Sequence, residues 1–152
     1  MLINMSLEKK IMNDIKEAML AKNNLRLNVC RAIKSEILIV KTQKKSQDLS
    51  NDKELEILQK LLKQRKESER IYQNQNRLDL ANDEKSQANI IAEYLPKPYT
   101  QDELIKLVDE LINELGISSK QEMGKLIAEV MRRSKGRADG KTISDCVKER
   151  LI

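Results

Sequence analysis

Neither glycine nor proline occurs in the first 95 residues of this 152-residue chain. These are the two strongest helix breakers, one through backbone entropy, the other through its missing N–H and fixed φ. A stretch that long without either is open to helix almost everywhere. Its apolar residues keep helical spacing. Ser6 can cap a helix with Leu7, Ile11, Ile15, Ala18 and Met19 on one face, broken at Asn23-Asn24. A second helix carries Leu25, Val29, Ile33, Ile37 and Val40. Polar Lys44 to Asn51 reads as a turn into a third helix, from Asp52 through Leu55, Leu58, Leu61 and Leu62. Gln73 to Arg77 bends or ends that helix, and a fourth, Asp79 to Tyr94, presents Leu80, Ala88, Ile91 and Leu95. Such stripes are core or partner-helix contacts rather than chemistry.

Both prolines fall in Leu95-Pro96-Lys97-Pro98-Tyr99, and all four glycines (116, 124, 136 and 140) lie beyond them. The change marks a second unit, so the chain reads as all-α with two dissimilar helical domains: 1–95, built of long helices, and 96–152, a small three-helix bundle. Thr100-Gln101-Asp102-Glu103 reads as a capping box, opening a helix of Leu104, Leu107, Val108, Leu111 and Leu115 that Gly116 stops. Ser119-Lys120-Gln121-Glu122 reads as a second box, before the helix of Met123, Leu126, Ile127, Val130 and Met131. Ile143, Cys146, Val147 and Leu151 share a face of the last helix.

Charge is unevenly distributed along the chain. The net charge is +5, and Lys22 to Lys45 holds seven basic residues against Glu36 alone. From residue 100 onward ten basic and ten acidic residues cancel, so positive charge there is local. It gathers in Gly124-Lys125, then Arg132-Arg133, Lys135-Gly136-Arg137-Ala138-Asp139-Gly140-Lys141. Glycine-flanked backbone, cations and a helix N-terminus suit an anion such as phosphate. Capping accounts for the same residues, with Gly136 as a left-handed C-cap, Asp139 as the next N-cap and basic residues complementing a helix C-terminus. The two roles are compatible.

Other chemistries find little support. The glycine loop has three residues between its glycines where the NTPase phosphate loop needs four, and no strand precedes it. Histidine is absent, Cys30 and Cys146 lie in separate helices, and no nucleophile–base pairing is recognisable. No metal and no cofactor are expected. Without Phe or Trp, and with three Tyr, base stacking has little to use, which leaves backbone and shape contacts by Lys and Arg. No apolar run spans a membrane, and the N-terminus lacks a signal pattern. With two isolated cysteines, these features lead to the expectation of a cytoplasmic protein.

Several motifs together resemble the YqeY-like proteins of the GatB/YqeY superfamily over nearly the whole length, from about Met5 to Leu151. They are Lys63-Gln64-Arg65-Lys66 with Ser68, Arg77-Leu78-Asp79-Leu80, Tyr94-Leu95-Pro96, Met123-Gly124-Lys125, Lys135 through Lys141, and Val147-Lys148. The resemblance implies two all-helical domains. It also implies kinship with the tail of the B subunit of the tRNA-dependent amidotransferase, a module that looks like a holder of folded tRNA. Expected partners are therefore tRNA and, through it, an aminoacyl-tRNA synthetase or amidotransferase subunit. The candidate nucleic-acid contacts are Lys125, Arg132, Arg133, Lys135, Arg137 and Lys141, with Lys63, Arg65 and Lys66 second, and Gly124, Gly136, Asp139 and Gly140 shaping the loop. Two alternatives stand beside this: glutamine-dependent amide transfer (a carbon–nitrogen ligase activity, implied by resemblance only), and a helical protein-interaction module.

Overall fold

The computed structural model describes residues 5–44 and 49–151, with Lys44 by its backbone alone. Among these residues the chain is all-α. Its helices are α1 (Leu7–Leu20), α2 (Asn24–Lys44), α3 (Asn51–Asn74), α4 (Leu78–Ala92), α5 (Gln101–Leu115), α6 (Met123–Ser134) and α7 (Gly140–Arg150), and a 3₁₀ turn, Lys120–Glu122, leads into α6. The chain divides into two compact units, Met1–Tyr94 and Leu95–Ile152.

In the first unit α1 packs on α2 and α3 on α4, while α2 also touches α3 and α4. Ile11, Ala18, Val29, Cys30, Ile33, Ile37, Ile57, Leu58, Ala81, Ala88, Ile90 and Ile91 are buried there. The stripes read from sequence hold with local exceptions. Met19 is 54% exposed, and Ile57 rather than Leu55 joins Leu58 inside. Part of the turn expected at Lys44–Asn51, residues 45–48, lies outside the described residues.

Lacking glycine, this unit ends its helices by other means. Ser6 Oγ accepts the Lys9 N–H at the start of α1, and Ser50 Oγ accepts the Lys53 N–H at the start of α3. After α1, the Asn23 N–H reaches Ala18 O and the Lys22 N–H reaches Met19 O. After α3, Arg77 and Asn76 do the same toward Tyr72 O and Gln73 O. These are Schellman turns, whose hinge residue must be left-handed. That residue is Lys22 (φ 55°) in one and Asn76 (φ 60°) in the other. Asn tolerates this conformation, whereas Lys22 holds it at about 1 kcal/mol.

In the second unit α5, α6 and α7 pack on one another around Leu104, Val108, Leu111, Ile117, Leu126, Val130, Ile143, Cys146 and Val147. The Thr100–Glu103 capping box forms in both directions, and Gly116 (φ 64°) closes α5. The second expected box does not form. Ser119 makes no side-chain cap, because Glu122 Oε2 takes the Ser118 N–H at 3.1 Å and the chain enters α6 through the 3₁₀ turn. Cys30 and Cys146 are buried free thiols, each in its own unit's core, and burial raises both above the usual thiol range.

Candidate nucleic-acid interface

The basic sequence cluster separates into engaged arginines and free lysines. Arg132 and Arg133 lie in the last turn of α6, where positive charge complements the exposed carbonyls. Arg133 grips Glu114 of α5 with both terminal nitrogens, at 2.8 and 2.9 Å, while its Nε reaches Glu129 Oε1 at 3.2 Å. Arg132 also pairs with Glu129. The pairing holds the Glu114 and Glu129 carboxyls below their ordinary range, chiefly through Arg133 for the first and Arg132 for the second.

Arg137 is bound up more completely. Its guanidinium stacks on Tyr99, 4.0 Å from the ring centre, Nε donates to Lys97 O at 2.8 Å, and Nη2 stands 3.7 Å from Glu103. The Tyr99 N–H donates to Arg137 O at 2.8 Å, so the proline strap and the α6–α7 loop clasp each other through one residue. A fourth arginine, Arg150, forks onto Asp109.

The left-handed C-cap of α6 is Lys135 (φ 45°), not Gly136 as expected, and Gly136 follows it at φ 83°. Two consecutive left-handed residues turn the chain sharply, and the first costs about 1 kcal/mol because it carries a Cβ. Asp139 caps α7 by accepting the Thr142 N–H at 2.7 Å. Its carboxylate thus occupies the place an external anion would take at that helix end, which leaves phosphate recognition to side chains.

Lys125, Lys135 and Lys141 are exposed and form no ion pair among the described residues. Lys135 and Lys141 flank the loop, whereas Lys125 sits in the first turn of α6, ten residues or about 15 Å along the helix from Lys135. Beside Lys125, Gly124 is exposed, and a Cβ built on it meets nothing within 4 Å. Packing gives no reason for glycine there.

The second group lies in the first unit. Arg65 Nη1 stands 3.0 Å from Glu84 Oε2 of α4, although that buried oxygen accepts no aligned hydrogen bond. Lys63 and Lys66 face solvent.

Sequence reasoning missed a polar cluster in the first unit. The Tyr94 hydroxyl donates to Asp14 of α1, Cys30 Sγ lies 3.4 Å from it, and the Lys10 ammonium is 5.2 Å from the ring centre. Burial, then the bond to Asp14, pushes the phenol well above its ordinary range. It stays a neutral donor that pins the end of α4 to α1 and α2. The cleft of ≈ 410 Å³ beside it is lined by Lys10, Asn13, Asp14, Glu17 and Glu54 among others. Only the identity of Tyr94, one of three tyrosines, could have flagged it. Among the described residues no group of three or more His, Cys, Asp or Glu could hold a metal ion, and no helix is long and apolar enough to cross a membrane.

A two-unit helical chain with this Gly-Lys-punctuated C-terminal bundle matches the family described as Yqey-like protein over residues 8–151, and the chain belongs to that family. It is similar to altered inheritance of mitochondria protein 41 from fungi. The Pyrenophora tritici-repentis protein is 31% identical over 92% of this chain and 78% of its own length. The Clavispora lusitaniae protein is 37% identical over 67% of this chain and 60% of its own. Lachancea thermotolerans supplies a third, 34% identical over 67% and 56%. The chain thus spans little more than half the length of two of these relatives. All three names carry the word mitochondrial, which overturns the expectation of a cytoplasmic protein. That expectation rested on reduced cysteines and a missing secretion signal, and neither separates one reducing compartment from another.

Proposed function

We propose that the C-terminal unit holds folded tRNA by its phosphate backbone. The observation that carries this is the division of labour among its cations. All four arginines, 132, 133, 137 and 150, are tied to carboxylates within the unit, while Lys125, Lys135 and Lys141 stand exposed and unpaired beside glycines. Arginines spent on intramolecular forks set the shape of the surface, and lysines on flexible stems act as point charges for phosphate. The resemblance of this unit to the tail of the tRNA-dependent amidotransferase supports the choice of tRNA. With no aromatic platform beyond Tyr99, itself covered by Arg137, contact is to backbone and shape, and sequence selectivity is low.

The test is the affinity of the full chain for unfractionated folded tRNA against salt. Each phosphate contact adds about one unit to the slope of log affinity on log salt. Replacing Lys125, Lys135 and Lys141 together by alanine should flatten that slope by about three and weaken all tRNAs alike. An unchanged slope in the triple variant contradicts the assignment.

A further inference from the structure

We propose that the outer groove between α1 and α2 is a docking surface for an acidic amphipathic helix of a partner protein. The ion pair between Glu8 and Lys41, at 2.9 Å, fixes which faces of the two antiparallel helices meet at this groove. Helical spacing then places the rest. Met12 and Met19 follow Glu8 by four and eleven residues, and Leu38 precedes Lys41 by three, so all three share those faces. They are 44%, 54% and 48% exposed, so about half of each lies in solvent beside the buried stripe of Ile11, Ala18, Ile33 and Ile37.

Cations alternate with this strip. Lys16 stands between Met12 and Met19 in the chain, half-buried Lys34 lies one heptad before Lys41 and so on the same face, and Arg31 follows one turn further. None of the three forms an ion pair among the described residues. Glu8, the acid that faces them, is already held by Lys41. Unpaired cations of one sign beside apolar residues repel one another in the free chain, and carboxylates laid along Lys16, Lys34 and Arg31 would relieve them.

The pattern selects its occupant. From Glu8 to Met19 the groove runs about 16 Å, three helical turns, and takes a helix with apolar residues at i, i+3/i+4 and i+7 and acids beside them. Methionine suits such a surface because it repacks easily. A lipid surface would instead want one wide apolar face, and the wide face of α1 is spent on the core. Nucleic acid has no use for the methionines and leucine. The groove lies in the N-terminal unit, so this inference does not rest on tRNA binding by the C-terminal one.

To test it, a photocrosslinking phenylalanine analogue is placed at Leu38 of the full chain, irradiated in extract of the source cells, and the joined peptides are sequenced. The same chain with Lys16→Glu and Lys34→Glu runs in parallel, with circular dichroism confirming unchanged helicity. Two further arms use phosphatidylglycerol vesicles and purified tRNA. The expected result is attachment to segments with helically spaced apolar residues and flanking acids, reduced about tenfold or more by the charge reversal. Absence of adducts, adducts to segments without that pattern, adducts indifferent to the charge reversal, or quenching of the crosslink by vesicles or tRNA would each overturn it.

Discussion

The two units build helical cores from the same aliphatic residues but manage their ends and charges differently. The N-terminal unit, without glycine, turns its helices on Lys22 and Asn76 in left-handed conformations, and along α1 and α2 it pairs Arg26 and Lys41 but leaves Lys16, Arg31 and Lys34 without an ion pair among the described residues. The C-terminal unit turns on Gly116 and on Lys135-Gly136, and ties every arginine to a carboxylate from another turn or helix. The contrast separates two uses of positive charge. In the bundle arginine is a construction element, whereas Lys125, Lys135 and Lys141 stay exposed and unpaired. On the α1–α2 hairpin cations of both types face solvent beside methionine.

The largest expected effect probes whether the units are separate cooperative bodies. Leu126→Ala, in the buried centre of the bundle, should cost about 2–5 kcal/mol. Amide exchange should report that loss in residues 100–150, with α1–α4 unchanged. Equal loss in both would merge the units into one.

Next is Arg137→Ala, which removes the stack on Tyr99 and the bond to Lys97 O and should lower the stability of the C-terminal unit by about 1–2 kcal/mol. Arg137→Lys should recover little, because an ammonium cannot both stack and fork. If thermal melts leave both variants at the wild-type midpoint, the clasp is decorative.

Glycine substitutions sharpen the contrast in chain turning. Gly136→Ala (φ 83°) should cost about 1 kcal/mol, whereas Gly124→Ala, helical and unobstructed, should gain up to about 1 kcal/mol. Lys22→Gly should gain a similar amount in the other unit. Opposite signs in urea melts would show that local conformation does not govern these sites.

The smallest effect is acid sensitivity. Glu103, Glu114 and Glu129 are held below their ordinary 4.5, the first by the Thr100 cap and the others by Arg133 and Arg132. A depressed carboxyl stabilises the folded state above its unfolded pKa and loses that contribution as pH falls through the folded value. The C-terminal unit should therefore soften slightly below pH 4.5, and Glu114→Gln should blunt the change. Softening as pH rises instead would reverse the sign.

Much of this was legible in the chain because it is local. Ser6, Thr100, Gly116 and Asp139 act within four residues of themselves, and the apolar stripes repeat at helical period. What escaped depends on distance. Arg133 finds Glu114 nineteen residues away and Arg137 finds Lys97 forty away, so a run that looked like free positive charge had partners that its spacing could not disclose. Nor does composition announce a left-handed Lys22, or the competition by which Glu122 abandons Ser119 for Ser118. Tyr94 belongs to the Tyr94-Leu95-Pro96 motif, yet its bond to Asp14 spans eighty residues.

The proposed function places nucleic acid on the lysine-bearing bundle rather than on the cation-rich α1–α2 hairpin. Amide chemical shifts of the full chain titrated with folded tRNA test it most directly. The largest changes should fall at Gly124-Lys125 and from Lys135 to Lys141, fading as salt rises. Changes centred on Lys16, Arg31 and Lys34, with the bundle silent, would contradict it.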